Sequence, residues 1–467
     1  MNARLSAPRA ERDTRAAWTV ILLAAIGGSV AAGLAIGEGH GKITSAVMFP
    51  LAGAGAVLFA WLVFARFELF VLSILSIRAA LDAFGGLAGG LGAAGAVSVI
   101  FLSVGTIWLF AEPIAQRAPV PRFVRPIAAF VAAGALSVLV AKDATGAIQD
   151  VVKFATLVVI ALVVNQLLSS ERSLKRLLTA IYLSLAIPLL VAAYQLATKS
   201  GFHVSNDFSR VRGTFDHPNP FAIYLTMMIV MGVALMLKVE RKGVRLALAG
   251  IVGVSGLFML LTYTRSAWIA TMAGLLVVAF YEGKRLLPII GLIAVMAAMF
   301  VPSVAARFSD LSTQTTQSGA AGNSLVWRFE YWQQALTLSD NPIMGVGLRT
   351  VRAETDVAKE PHNDFIRVYV ELGLIGLSAY VWFLISLVRM ARRSIRATRA
   401  PLEHAVAVGF MGCLAAFLLL SLVSNVISQL VILWYFLAFA VAASAGPRLE
   451  RRAIDLGSMD AGSPAML

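Results

Sequence analysis

The chain has 467 residues, of which 59% are hydrophobic and only 14% charged, with a mean hydropathy of +0.82. So little charge cannot cover the surface of a soluble protein, and one membrane-embedded unit is read in place of the roughly three soluble domains that length alone suggests. A net charge of +14 would raise nucleic acid as a partner of a soluble chain, but here the basic residues sit in short loops between apolar runs and no nucleic acid is expected. Cys413 is the only cysteine, which excludes a disulfide framework or a Cys-based metal site within one chain.

In chain order, Arg4, Arg9, Arg12 and Arg15 precede an apolar stretch over 18–36. Small residues at 32–35 would suit a signal-peptide cleavage site. The stretch is long for a signal core, however, and further spans follow, so it reads as an uncleaved first span. Apolar runs then cover 46–64, 67–81, 93–113, 124–140, 151–168, 176–197, 219–237, 244–263, 266–281, 286–301, 363–388, 404–424 and 426–445. The shortest, 67–81, ends at Arg78 and Asp82 and also reads as a re-entrant or half-span. The expected fold is an all-α integral membrane protein, a polytopic helical bundle of about 12–14 transmembrane helices with a large, partly helical periplasmic loop. Its parts are a cytoplasmic tail (1–17), an N-terminal transmembrane bundle (18–301) that includes an outer loop (198–218), the long periplasmic loop (302–362), C-terminal transmembrane helices (363–445) and a second cytoplasmic tail (446–467).

Alternate loops, counted from the N-terminus, are short and hold most of the 39 Lys and Arg residues. This asymmetry puts both termini in the cytoplasm. The outer segments 198–218 and 302–361 are long for a compact membrane unit and read as functional or structured. In the longer one, Leu325, Phe329, Trp332 and Leu336 recur at helical spacing, an apolar stripe that implies packing on the bundle or on the membrane surface. Asn323 or Ser324 can cap that helix, and Asn341-Pro342 ends it.

This topology puts His40, His203, His217 and His362 on the outer face and His404 inside. Basic outer residues are Arg210, Arg212, Arg265, Arg307, Arg328, Arg349, Arg352, Lys359 and Arg367, against the usual bias. Arg265 stands out in Tyr263-Thr264-Arg265-Ser266, between two apolar runs with almost no loop to hold it in water. A charge so placed needs a partner or a ligand. Pro361-His362-Asn363-Asp364 directly precedes a span; Asn363 or Asp364 can cap it, while capping does not require His362. Arg367 and Glu371, at i and i+4, read as a structural ion pair. Gly345 and Gly347 would let backbone amides approach an anion, and turn chemistry explains them equally well.

In combination these residues resemble the O-antigen ligase and polymerase superfamily of bacterial envelope biosynthesis. The resemblance runs through Gly213-Thr214-Phe215-Asp216-His217-Pro218-Asn219, Thr264-Arg265-Ser266-Ala267-Trp268, Arg328 to Trp332, Asn341 to Gly347, Pro361-His362-Asn363 and Glu371 to Gly376. It covers about residues 200–390; the first half is similar only as a run of spans. The resemblance implies a ligase that moves a finished polysaccharide from undecaprenyl pyrophosphate to the lipid A-core oligosaccharide, in the bacterial inner membrane and on its periplasmic face. It also implies His362 as the catalytic histidine and Arg265 as the arginine of a short outer turn.

The residue chemistry suits that reaction. A sugar hydroxyl becomes a good nucleophile as its proton leaves, and a histidine can take that proton at neutral pH. Negative charge builds on the departing pyrophosphate, which arginine forks bind and stabilise; Arg265 is the first candidate, with Arg210, Arg212 and Arg328 behind it. Tyr263, His217, Asn363, Gly345 and Gly347 complete the expected substrate-binding set. Single displacement would invert the anomeric centre. No metal and no cofactor are expected: residues 37–41 lack a pair of acids, no Asp-x-Asp occurs, and arginine takes the metal's place. An O-antigen polymerase or a protein O-oligosaccharyltransferase shares this layout, and a polytopic transporter or flippase is the rival of another class, with Arg78 and Asp82 as coupling charges. Partners are the two lipid-linked glycans and membrane lipids; the sequence gives no oligomeric state.

Overall fold

Polar residues and prolines at the ends of the apolar runs set where the helices begin. Asp143 accepts the Gly146 amide at 2.9 Å, Ser170 and Ser173 form a reciprocal capping box, and Asn363 Oδ1 accepts the amides of Phe365 and Ile366 at 3.0 and 3.1 Å. Pro218 and Pro401 sit in first turns, where their missing N–H removes no helical bond. The structure, a computed structural model, describes residues 57–84, 92–111, 117–205, 208–283, 324–354 and 360–461, with the single positions 55, 113 and 291. Apart from positions 55 and 291, the expected spans 18–36 and 286–301, the first part of 46–64, residues 37–41 and 302–323 (with Arg307 and Asn323) and Lys359 lie outside the described residues.

The chain divides into two units at Ile77/Arg78. In the first, residues 57–65 and α1 (Phe67–Ile77) are helical, and Phe59 meets Phe70 edge to face at 5.6 Å. The second opens with a 3-10 turn (Arg78–Phe84), followed by α2 (Gly92–Ala111), α3 (Val124–Ser137), α4 (Ala144–Leu167), α5 (Glu171–Leu183) and α6 (Ala186–Thr198). A two-stranded antiparallel hairpin of β1 (Phe202–Ser205) and β2 (Phe208–Arg210) leads to α7 (Pro218–Lys238), α8 (Lys242–Leu261) and α9 (Arg265–Glu282). Two short helices, α10 (Ser324–Thr337) and α11 (Thr350–Glu354), precede α12 (Asp364–Ala397), α13 (Pro401–Val423) and α14 (Leu430–Ala461). Among the described residues seven segments are long and apolar enough to cross a membrane: α4, α5 with α6, α7, α8, α12, α13 and α14. The protein is an all-α polytopic membrane protein.

Between helices in lipid the driving force is packing and hydrogen bonding, because lipid tails are as apolar as the side chains. α14 supplies the centre of that packing in the second unit. Trp434, Tyr435, Phe436 and Phe439 are buried, Phe417 of α13 stacks on Phe436 at 4.4 Å, and Trp434 donates its indole N–H to Thr156 of α4 at 3.0 Å. Arg78 lies over the Trp434 ring at 5.7 Å and pairs with Asp82 at 3.0 Å. α9 and α13 meet where a Cβ on Gly274 or on Gly412 would touch the other's carbonyl oxygen at 2.9 or 2.8 Å. That contact fixes the helix whose first residue is Arg265.

α12 is broken. Gly373 has φ 64° and ψ −164°, and the backbone of residues 342–347 lies against the break. The amides of Val346 and Gly347 donate to the carbonyls of Val370 and Glu371 at 3.0 and 2.9 Å, and those of Leu374 and Ile375 donate to Pro342 and Ile343 at 2.9 and 3.3 Å. The interrupted turn therefore keeps its polar backbone satisfied, as a non-aqueous setting requires. Glycine is needed on both sides: a Cβ on Gly345 (φ 74°) would meet the Glu371 backbone at 2.5 Å, and one on Gly373 would meet the Ile343 carbonyl at 2.2 Å.

Of the apolar stripe expected on α10, Phe329 and Leu336 do not pack on the bundle, which leaves the membrane-surface alternative. Tyr331 and Ala335 are buried, the latter in a cluster with Val351 and Val370, whereas Phe329 and Leu336 are exposed. The buried face is turned by about 100°, one residue around the helix. Ala335 is small enough to allow the close approach that a bulky stripe would prevent. Trp332 instead donates its indole N–H to the Pro361 carbonyl at 2.5 Å, fastening α10 to the residue before His362.

Arg367, 2% exposed, anchors the first part of α12. Its guanidinium meets Glu371 at 3.0 Å, Glu360 at 3.2 Å and Asp150 of α4 at 3.5 Å. It also donates to Ser428 in the α13–α14 connection, and Ser428 donates to Glu360. The expected Arg367–Glu371 pair is thus one arm of a larger network, in which Arg349 and Lys153 also reach Asp150, at 3.5 and 2.9 Å.

Two outcomes follow for thermal unfolding of the purified protein in detergent. Gly373→Ala lowers the midpoint, since it combines a left-handed backbone (about 1–2 kcal/mol) with a backbone overlap; Gly250→Ala, where a Cβ meets nothing within 4 Å, leaves the midpoint unchanged or raises it. Arg367→Met strands buried carboxylates and is expected to destabilise by about 3–5 kcal/mol. A midpoint equal to the parent's would show that the network carries no stability.

Candidate functional site

At one end of the bundle a cavity of about 780 Å³ is enclosed by the first turns of α7, α12 and α14, the first half of α4, the short helices α10 and α11, and the α13–α14 connection. Three helix N-termini therefore face it, each with the positive end of its dipole. Its wall carries Lys153, Arg328, Arg349, Arg352 and Arg367 against Asp150, Asp216 and Glu360. The balance of fixed charge is positive, which favours an anionic ligand.

His362 lies on this wall, directly before the Asn363 cap. Its backbone is left-handed (φ 53°), a conformation unfavourable for a non-glycine residue and held here by its surroundings. Pro361 is held by Trp332, and Asn363 is fixed by the helix it caps. The ring is held from the far side: Asn425 Nδ2 lies 3.3 Å from His362 Nδ1. The connection bearing Asn425 is clamped in turn, because Asp364 Oδ1 accepts the Ile427 amide at 3.3 Å and Ser428 joins the Arg367–Glu360 pair.

Arg328 of α10 is on the wall, and Arg265 stands near enough that its charge is felt there. Burial first, and the Arg265 charge second, push the Arg328 guanidinium below its ordinary pKa. Two like charges brought together in a partly desolvated place repel, and an anion bound between them relieves both penalties. Arg265 is the first residue of α9, and the turn before it carries Tyr263 in a left-handed conformation (φ 49°).

The other expected residues divide. His217 lines the cavity, but its Nδ1 accepts the Asn219 amide at 3.1 Å as the α7 cap, and its ring packs against Phe202. Arg210 braces the Arg265 turn, donating to the Thr262 carbonyl at 2.6 Å, Thr264 Oγ1 at 3.0 Å and Asn219 Oδ1 at 3.1 Å. Arg212 donates to the Asp216 carbonyl at 3.0 Å. Asn363 is the helix cap. Gly345 and Gly347 give their amides to the carbonyls of Asn341 and Glu371, at 2.8 and 2.9 Å, so the turn reading describes them and the anion reading does not.

Sequence reasoning passed over Asp150, Lys153, Glu360 and the connection from Ser424 to Gln429. A signal was present: Ser424, Asn425, Ser428 and Gln429 interrupt an otherwise apolar stretch, and Asp150 and Lys153 sit in the opening turns of a span. Among the described residues no cluster of three or more His, Cys, Asp or Glu side chains is arranged to hold a metal.

No curated protein matches the chain. The profile of the family described as O-antigen ligase matches residues 250–381, a stretch that holds Arg265, Arg328, His362, Arg367 and the broken turn of α12. That match, laid over the order of elements just described, gives residues 250–381 the character of an O-antigen ligase domain and supports a place for the chain in the O-antigen ligase/polymerase superfamily.

Proposed function

We propose that the protein is an inverting, metal-independent glycosyltransferase that moves O-antigen polysaccharide from undecaprenyl pyrophosphate to the lipid A-core oligosaccharide. It works at the periplasmic face of the bacterial inner membrane, with both termini in the cytoplasm. Membership of a glycosyl-transferring membrane family is the background to this reading. The observation that carries it is one cavity that has His362 and Arg328 on its wall, with Arg265 near enough to Arg328 for its charge to be felt there.

The pyrophosphate binds where Arg265 and Arg328 oppose each other, at the end of the bundle that faces helix N-termini. The acceptor hydroxyl approaches His362. As its oxygen bonds to the anomeric carbon, the bond from that carbon to the phosphate oxygen breaks and its electron pair leaves with undecaprenyl pyrophosphate. The hydroxyl proton passes to the imidazole. The arginines stabilise the charge that grows on the leaving group, which is where a transition state gains most from fixed cations. A transporter would place its buried charges near the midplane. Here the charged wall lies at one end, and Arg78 is engaged with Asp82 and the Trp434 ring.

The test is reconstitution of the purified protein with undecaprenyl pyrophosphate-linked glycan and lipid A-core, with product detected by mass. His362→Ala is expected to lower transfer by at least 10²-fold, and Arg265→Ala by about 10²–10³-fold, with thermal unfolding unchanged. Full transfer by either variant would overturn the assignment. Product formed by joining two lipid-linked glycans would favour a polymerase. In the same assay a chelator is expected to leave the rate unaltered; a rate restored only by added divalent cation would remove the arginine mechanism.

A further inference from the structure

A histidine that takes a proton on one ring nitrogen ends with a proton on both. In the imidazolium, Nδ1 must donate, and the group facing it must accept. The group facing Nδ1 of His362 is the Asn425 side chain, at 3.3 Å through Nδ2, while Asn425 Oδ1 is buried with no hydrogen bond from any described residue. The two ends of an amide exchange by rotation about one bond, and which end faces a partner is decided by the hydrogen bonds each can make. With Nδ2 forward, Asn425 can only donate, which puts the neutral ring's proton on Nε2 and opposes the imidazolium. With Oδ1 forward, it accepts from Nδ1–H in both the neutral and the protonated ring.

We infer that Asn425 is a positioning residue for the transfer: its side-chain oxygen holds the His362 Nδ1–H and so leaves the Nε2 lone pair as the site that receives the acceptor's proton. The inference rests on the proposed base role of His362. The step balances as before: the hydroxyl proton moves to Nε2, the new oxygen–carbon bond forms, and the carbon–phosphate oxygen bond breaks with its pair on the leaving group. The structure supports an immobile Asn425, since its connection is tied to Asp364 through Ile427 and to Arg367 and Glu360 through Ser428. A second-side hydrogen bond that fixes tautomer and ring orientation is the general way a histidine base is held in register.

The charged and titratable groups that share the cavity with the ring are Asp216 and His217 at the start of α7, Arg328 on α10, Arg349 and Arg352 at α11, Glu360 beside His362, and Arg367 on α12. Asp150 and Lys153 of α4 complete the set and pair with each other. None of these changes in a variant at position 425, so a shift in the pH profile between such variants reports on the residue at 425 alone.

In the reconstituted transfer assay, Asn425→Ala is expected to lower kcat by about 10–10²-fold with KM little changed. Asn425→Asp keeps an acceptor at Nδ1, and activity is retained. The added negative charge favours the protonated ring, so the His362 pKa rises, and the acid limb of the kcat profile, which needs the unprotonated base, moves to higher pH. That movement reports that the residue at 425 faces the His362 ring, and it remains readable if the alanine variant fails to fold. The fall in kcat without a change in KM in Asn425→Ala is the readout that a merely structural asparagine would not produce. Parent-like kcat in Asn425→Ala, or an acid limb in Asn425→Asp that coincides with the parent's, overturns the inference. His362→Ala, run alongside, separates the two readings. If it is inactive while the Asn425 variants match the parent, only the positioning role falls; if it is active, the base role falls and the positioning role with it.

Discussion

A guanidinium taken out of water needs countercharge and hydrogen bonds on every side, and in this protein Arg367 draws those groups from otherwise separate parts of the chain. Asp150 comes from α4, Glu371 from the next turn of α12, Glu360 from the segment before His362, and Ser428 from the connection between α13 and α14. Each group is brought to the cavity because the buried cation requires it. The same residues hold the site's two sides in register. Glu360 is two positions from His362, and Ser428 is three from Asn425.

The break in α12 serves the same end by different means. A continuous helix would consume its own backbone groups and leave residues 342–347 nothing to bond. With Gly373 in a left-handed conformation, four backbone hydrogen bonds join that segment to α12. Arg349 and α11 follow immediately in the chain and so reach the cavity wall. A loop that would otherwise sample many conformations becomes part of a rigid wall, which is what positioning a polar substrate demands.

The electrostatic character of the cavity comes from excess rather than from any single group. Lys153, Arg349 and Arg367 share Asp150 and are largely structural. Arg328 is depressed in pKa by burial and by the Arg265 charge, an unfavourable state that a bound anion would relieve. Repulsion maintained by the fold and relieved by a ligand is a form of preorganisation: the ordering of the cations is complete before binding.

By itself the sequence determined the membrane class, the positions of most helices among the described residues and the two residues around which the proposed chemistry is built. These are properties of local composition: a long apolar run must cross or be buried, a proline or a capping residue must end it, and an arginine or histidine at its edge needs an explanation. The tertiary structure decided what each polar residue meets. Gly345 and Gly347 turned out to serve a backbone-to-backbone contact, because their partner turn lies at Gly373 of another element. The buried face of α10 is set by Tyr331 and Ala335, because close approach favours a small residue over a bulky stripe. Asp150 and Asn425 became visible only when distant helix ends were brought together: a contact across 217 or 63 positions, as between Asp150 and Arg367 or between Asn425 and His362, leaves no periodicity to read.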